Sequence, residues 1–140
     1  TIFKNQNTLR SHLTHTKPYN ANENTKNVIY KILCECNKFY IGETSRPLAK
    51  RITEHKNYIK HRESHKSNIC QHAHDNDHRI NWNACSIIAK EPHSKRRKFK
   101  ESALILLNKD NCVASSSVTF DNTWLHMLNT EAIQGNLKIN

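Results

Sequence analysis

Two tyrosines stand ten residues apart, Tyr30 closing the triplet Val28-Ile29-Tyr30 and Tyr40 opening Tyr40-Ile41-Gly42. Arg51 and His55 follow at i and i+4, and Glu101 lies fifty residues beyond Arg51. These side chains suit work on a phosphate beside a hard cation. A guanidinium fork fits phosphate oxygens and offsets charge that builds on them. A carboxylate suits Mg²⁺ or Mn²⁺, which take oxygen ligands and keep most of their waters. A phenol, with a pKa of about 10, is a poor base unless something assists it.

A second constellation has softer chemistry. Cys34, Cys36, His72 and His78 form a Cys2His2 set of the types that hold Zn²⁺. The Cys-x-Cys spacing is tighter than that of common zinc motifs. His74 stands as an alternative to His72, and Cys70 or Cys85 as intruders. The rival reading is scattered polar histidines and buried free thiols.

The elements that must position these groups follow from patterning. Val28 to Leu33 is β-branched and aromatic and predicts a strand; Cys34 to Lys38 turns the chain, and Phe39 to Ile41 returns, ending at Gly42. Pro47 sits well in the first turn of a helix. Leu48, Ile52, His55 and Ile59 make one stripe of that helix, which ends near Lys60, so Arg51 and His55 share a side. After a polar connection, His61 to Ser67, a short helix is expected from Ser67 to about Asp75, then a turn at Asp77. A third strand is expected within Trp82 to Ala89. Ser94 reads as the N-cap of a last helix whose apolar face is Phe99, Ala103, Leu106 and Leu107. Asn111 to Thr123 reads as turn-rich and weakly extended, and Trp124 to Leu128 as an apolar patch.

In 140 residues there is room for one compact domain with polar ends: residues 1–26 as a linker, 27–128 as the domain, 129–140 as a tail. Lys and Arg outnumber Asp and Glu by 22 to 12, a formal charge of +10 that favours a polyanionic partner. No apolar run approaches the ~20 residues a membrane span needs. The N-terminus carries no signal-peptide pattern. Five cysteines, an odd count at irregular spacing, fit reduced thiols in an intracellular protein better than a disulfide scaffold. A chain opening on Thr1 rather than Met is expected to be a piece of something longer.

The two triplets, the Arg on the next helix and the later Glu resemble the GIY-YIG nuclease superfamily. Val28 replaces the first Gly of that pattern, and Arg51 falls one residue later than in the shortest members, a difference the loop Glu43 to Arg46 absorbs. The run Phe39 to Lys56 (FYIGETSRPLAKRITEHK), Cys34-Glu35-Cys36, His72 and His78 before Ile80-Asn81-Trp82, and Arg96 to Ala103 (RRKFKESA) are similar to the nuclease domain that ends the polyprotein of Penelope-like retroelements. The similarity covers about residues 9–128, and residues 1–20 look like the stretch that follows the reverse transcriptase.

That resemblance implies a small, mainly antiparallel three-stranded sheet flanked by helices, an α+β architecture. It implies a nuclear, metal-dependent enzyme that nicks one DNA strand and leaves a 3′-hydroxyl to prime reverse transcription, with the reverse transcriptase in cis. Tyr30 would be general base, Tyr40 would orient water or phosphate, Arg51 would bind the scissile phosphate, and Glu101 would hold Mg²⁺ or Mn²⁺. His55 would be an alternative base or phosphate ligand, and Asn111 the asparagine that often follows the glutamate helix. Cys34, Cys36, His72 and His78 would hold zinc. Arg46, Lys50, Lys95, Arg96, Arg97 and Lys98 would grip DNA phosphates without reading sequence.

Each assignment has a plainer rival. Glu101 pairs with Arg97 on a helix surface, His55 is a satisfied core residue, the tyrosines are ordinary strand aromatics, and the basic run is a solvated face. Two other functions stay open: a zinc-stapled nucleic-acid-binding module without catalysis, and a repair or homing nuclease.

Overall fold

A computed structural model describes residues 24–114 together with His126. The expected tail, most of the expected linker, and the apolar patch apart from His126 lie outside the described residues. Three strands form one antiparallel sheet in the order β2-β1-β3: β1 is Val28–Cys34, β2 Phe39–Thr44 and β3 Ile80–Lys90. Three α-helices accompany it: α1, Leu48–Lys60; α2, Asn68–Asn76; and α3, Ser94–Leu107. This is the expected α+β architecture.

The central strand β1 is apolar on both sides except at half-buried Lys31, because both of its faces are covered. Val28, Tyr30 and Ile32 point to one side with Tyr40, Leu48, Ile69 and Ile87. Ile29 points to the other, packing with Phe39, Ile41, Ile88 and the α3 residues Ala103, Leu104, Ile105 and Leu107. The sheet is thus a middle layer, with α1 and α2 on one face and α3 on the other. Each fully buried Leu or Ile side chain contributes about 1.5–3 kcal/mol.

Several boundaries move. Strand β2 runs through Gly42 to Thr44, pairing Gly42 with Tyr30 and Thr44 with Val28. Strand β3 extends beyond the expected Trp82–Ala89 to Ile80–Lys90, because its ladder with β1 recruits Ile80 and Asn81 despite two polar asparagines. Pro47 stands just before α1, not in its first turn. Within the polar connection, Ser64–Lys66 forms a single 3₁₀ turn. Of the weakly extended stretch, Asn111 to Val113 docks on β2: Asn111 C=O accepts the Phe39 N–H, and Val113 N–H donates to Phe39 C=O, both at 2.9 Å.

The last helix departs most. Its N-cap is His93, whose Nδ1 accepts the Arg96 amide at 3.4 Å, and Ser94 is already helical. Its buried face includes Arg97, Lys100, Ser102, Leu104 and Ile105, while Phe99 and Leu106 are only half-buried. Two buried cations are tolerated there because each is paired. Arg97 donates to Glu43 Oε2, to the Glu91 carbonyl at 3.1 Å and to Asn27 Oδ1 at 3.3 Å; Lys100 meets Glu91 at 2.6 Å.

Candidate active site and Cys/His metal cluster

The cross-strand pair Tyr30–Gly42 creates the tyrosine site. A Cβ at Gly42 would lie 2.6 Å from the Tyr30 hydroxyl and 2.7 Å from a Tyr40 ring carbon, so only glycine lets both rings fold over the hairpin. The ring centroids of Tyr30 and Tyr40 are 6.1 Å apart, and the His55 ring, one helix layer above, lies 5.2 Å from that of Tyr40. His55 is fully buried. Its Nε2 lies 2.8 Å from the Tyr30 hydroxyl and its Nδ1 2.9 Å from Ser67 Oγ.

Arg51, one turn before His55 on α1, is within hydrogen-bonding range of both phenols and of Glu54, which it meets at 2.9 Å. Glu54 also binds Arg46 at 2.6 Å, so one carboxylate bridges two arginines. Glu101 reaches the same place from the opposite face of the sheet. Because β2 is an edge strand, its Glu43 N–H is free to donate to the Glu101 carboxylate, which also feels Arg51 and Lys98. Tyr40 in turn feels the Glu101 charge. Four residues spread over seventy-one positions therefore share one neighbourhood, and Arg97 pairs with Glu43 and not with Glu101.

The electrostatics disfavour charge on Glu101 and on both phenols, while the two arginines hold Glu54 ionised. Burial, then the Glu43 carboxylate, pushes the Glu101 pKa up to about 7. Burial and Tyr40 push Tyr30 well above the usual phenol range, and burial likewise raises Tyr40. Burial and then the Arg51 cation push His55 down to about 3, so its ring is neutral. Arg51 loses some solvation through burial, yet Tyr30 and Glu54 hold its pKa above the ordinary value. Tyr30 is 0 % and Tyr40 9 % exposed, so the members facing solvent are Arg51 and Glu101.

The phosphate-contact set divides. Lys50, Lys95, Arg96 and Lys98 are exposed, and Arg46 is open though paired with Glu54. Arg97 is a correction: its side chain is 3 % exposed and bound to Glu43, so it braces α3 against β2 and is not available to DNA. Asn111 is exposed and joins the sheet through its backbone. Sequence reasoning missed Glu54, Glu43 and Ser67. The first two carry no signal beyond charge, and Ser67 reads simply as a helix boundary.

Some four residues along β1 from Tyr30, the hairpin tip gathers the second constellation. Cys34, Cys36, His72 and His78 bring one ligand atom each to within 4.8 Å of one another. Cys36 Sγ is 3.3 Å from His72 Nε2, which is 3.2 Å from His78 Nδ1. Tetrahedral zinc with bonds of about 2.3 Å to sulfur and 2.0–2.1 Å to nitrogen would set its ligands roughly 3.3–3.8 Å apart. The group could therefore hold a metal ion such as zinc.

Local turns aim these ligands. Asn37 takes a left-handed conformation (φ 67°), closing the hairpin with Asn37 N–H donating to Cys34 C=O at 3.1 Å. Asp77, also left-handed (φ 54°), ends α2 and swings His78 back, its N–H donating to Ala73 C=O. His74 is exposed and Cys70 is in the core, so neither joins the group; Cys85 is half-buried on β3, outside it. No protein-family model matches the chain, and neither a curated protein nor a solved structure does. Among the described residues, no helix is long and apolar enough to cross a membrane.

Proposed function

We propose that the domain is a metal-dependent DNA endonuclease that hydrolyses one strand and leaves a 3′-hydroxyl, serving a retroelement whose reverse transcriptase is joined to it in cis and acts in the nucleus. The observation that carries the reading is the convergence of Tyr30, Tyr40, Arg51 and Glu101, with exposed Lys98 close enough to act on Glu101. The sequence resemblance to GIY-YIG nucleases of Penelope-like elements supports it, as does the formal charge of +10.

In this reading Glu101 holds Mg²⁺ or Mn²⁺, an ion that when bound activates water and offsets charge at phosphorus. Arg51 leaves Tyr30 and Tyr40 for the scissile phosphate, which fits its fork and its partial exposure. Its departure would uncover the Tyr30 oxygen, otherwise buried, to take the proton of the attacking water as Tyr30 passes its own hydroxyl hydrogen to His55 Nε2, 2.8 Å away. Tyr40 orients water or phosphate. Exposed Lys95, Arg96, Lys98 and Lys50 grip neighbouring phosphates, so target choice is loose. Structural zinc on Cys34, Cys36, His72 and His78 staples α2 to the hairpin, closing a small core.

A supercoiled plasmid incubated with the protein and Mg²⁺ or Mn²⁺ should become nicked. Glu101→Ala and Arg51→Ala should each lower the rate by about a hundredfold or more. Equal rates in all three proteins would remove this centre as the seat of catalysis.

A further inference from the structure

Ser67 stands at the N-cap position of α2 in extended backbone (φ −162°, ψ 132°), where a serine hydroxyl ordinarily accepts a free helix amide. It makes no such bond. Its Oγ is turned to His55 Nδ1 at 2.9 Å, while Nε2 of that ring faces the Tyr30 hydroxyl at 2.8 Å. Tyr30 and His55 are 0 % and Ser67 8 % exposed. The three groups form a buried line from the start of α2 to the middle of β1.

A neutral imidazole has one N–H and one bare nitrogen, so the two bonds are tied in direction. Where Ser67 accepts from Nδ1–H, Nε2 is bare and must receive the Tyr30 O–H. Where Ser67 donates to Nδ1, Nε2–H points at the Tyr30 oxygen and occupies a lone pair. Burial and the Arg51 cation keep the ring neutral, which excludes the doubly protonated case. Arg51 has only donors, so the Tyr30 hydrogen turns to one of two acceptors within reach, the Tyr40 hydroxyl or bare Nε2; an imidazole nitrogen is the stronger acceptor of the two, and it lies 2.8 Å away.

We propose that Ser67 is a positioning residue that accepts the His55 Nδ1 proton and thereby leaves Nε2 to take the Tyr30 hydroxyl hydrogen, freeing the Tyr30 lone pairs on the side of Arg51. The consequence for catalysis rests on the nuclease reading above; the hydrogen-bond direction does not. It gives the unused cap a purpose: α2 forgoes the ordinary serine bond, and the hydroxyl sets the orientation of a phenol on another strand. Tyr30 then meets substrate as an acceptor, the polarity a general base needs.

The test is ¹⁵N NMR of histidine-labelled full-length protein, the His55 signals being assigned by their loss in His55→Gln. Wild type and Ser67→Thr, which keeps the hydroxyl on a backbone that suits a β-branched residue, should show the Nδ1–H tautomer. Ser67→Ala should switch to Nε2–H, and its kcat for nicking should fall by about tenfold or more with KM for DNA within about twofold. An Nε2–H tautomer in wild type, or an unchanged Nδ1–H tautomer in Ser67→Ala, overturns the proposal. A wild type that shows the switch on mutation but never nicks upholds Ser67 and sinks the nuclease reading.

Discussion

The two ends of β1 work in opposite ways. At Cys34 the hairpin tip collects four ligand atoms within 4.8 Å, a set complete in itself that needs only an ion. About 13 Å along the strand, at Tyr30, every group is already engaged. Arg51 is held by Glu54 and the phenols, Tyr30 faces His55, and Glu101 accepts a backbone amide. One region could take up a metal ion as it stands, while on the proposed reading the other must be rearranged by a phosphate and an ion. Stability should therefore depend chiefly on the first and activity on the second.

Breaking the cluster should have the largest effect. Cys34→Ser with Cys36→Ser should abolish binding of one zinc per chain by elemental analysis and lower Tm by about 10 °C or more, since metal binding in small domains is folding free energy. Retained zinc would withdraw these thiols as ligands. Because α2 carries His72 and starts directly after Ser67, which bonds to His55, metal loss should also disturb His55, linking the two ends of β1.

The basic run on α3 offers a sharper contrast between neighbours. Arg97→Met leaves Glu43 without its partner in a half-buried site and should cost about 3 kcal/mol, the low end for a broken buried pair. Arg96→Ala, at an exposed position, should change stability by no more than about 0.5 kcal/mol. It should instead reduce the slope of log K against log salt for DNA binding by about one. If Arg97→Met kept full stability and altered only the salt slope, the bracing role would fall.

These neighbours also show where sequence is legible. The strand–turn–strand–helix unit was readable because Val28 to Leu33 and Leu48, Ile52 and His55 follow local periodicities. The ligand set was readable because thiols and imidazoles have few other uses in such a combination, though only the geometry separates His72 from His74. Arg97 and Lys100 were not readable as interior residues: their burial depends on Glu43 and Glu91, partners set by tertiary contact. The same holds for the last cap. His93 accepts the Arg96 amide although Ser94 is the stronger capping residue by type. Ser67 is the reverse case, a good cap by type that the fold uses for something else.

The smallest effect is the most specific to the tyrosine end. Glu101 has a pKa of about 7 in the folded protein, raised above its ordinary value by burial and Glu43. A carboxyl raised in this way stabilises the fold while it is protonated. Its contribution is complete below about pH 4.5 and is lost as pH rises through about 7. A divalent ion binds the ionised form and so reverses the trend, since the proton and the ion compete for one carboxylate. Apparent Mn²⁺ affinity should fall roughly tenfold per pH unit below 7 and level off above it. Melting curves with and without Mn²⁺ should then show a Tm increase of a few degrees at pH 8 that shrinks at pH 6. Glu101→Gln should melt alike with or without Mn²⁺ at every pH. A Mn²⁺ shift of equal size at pH 6 and pH 8, or one that survives Glu101→Gln, would place the ion elsewhere and leave Glu101 a half-buried acid held by the Glu43 amide.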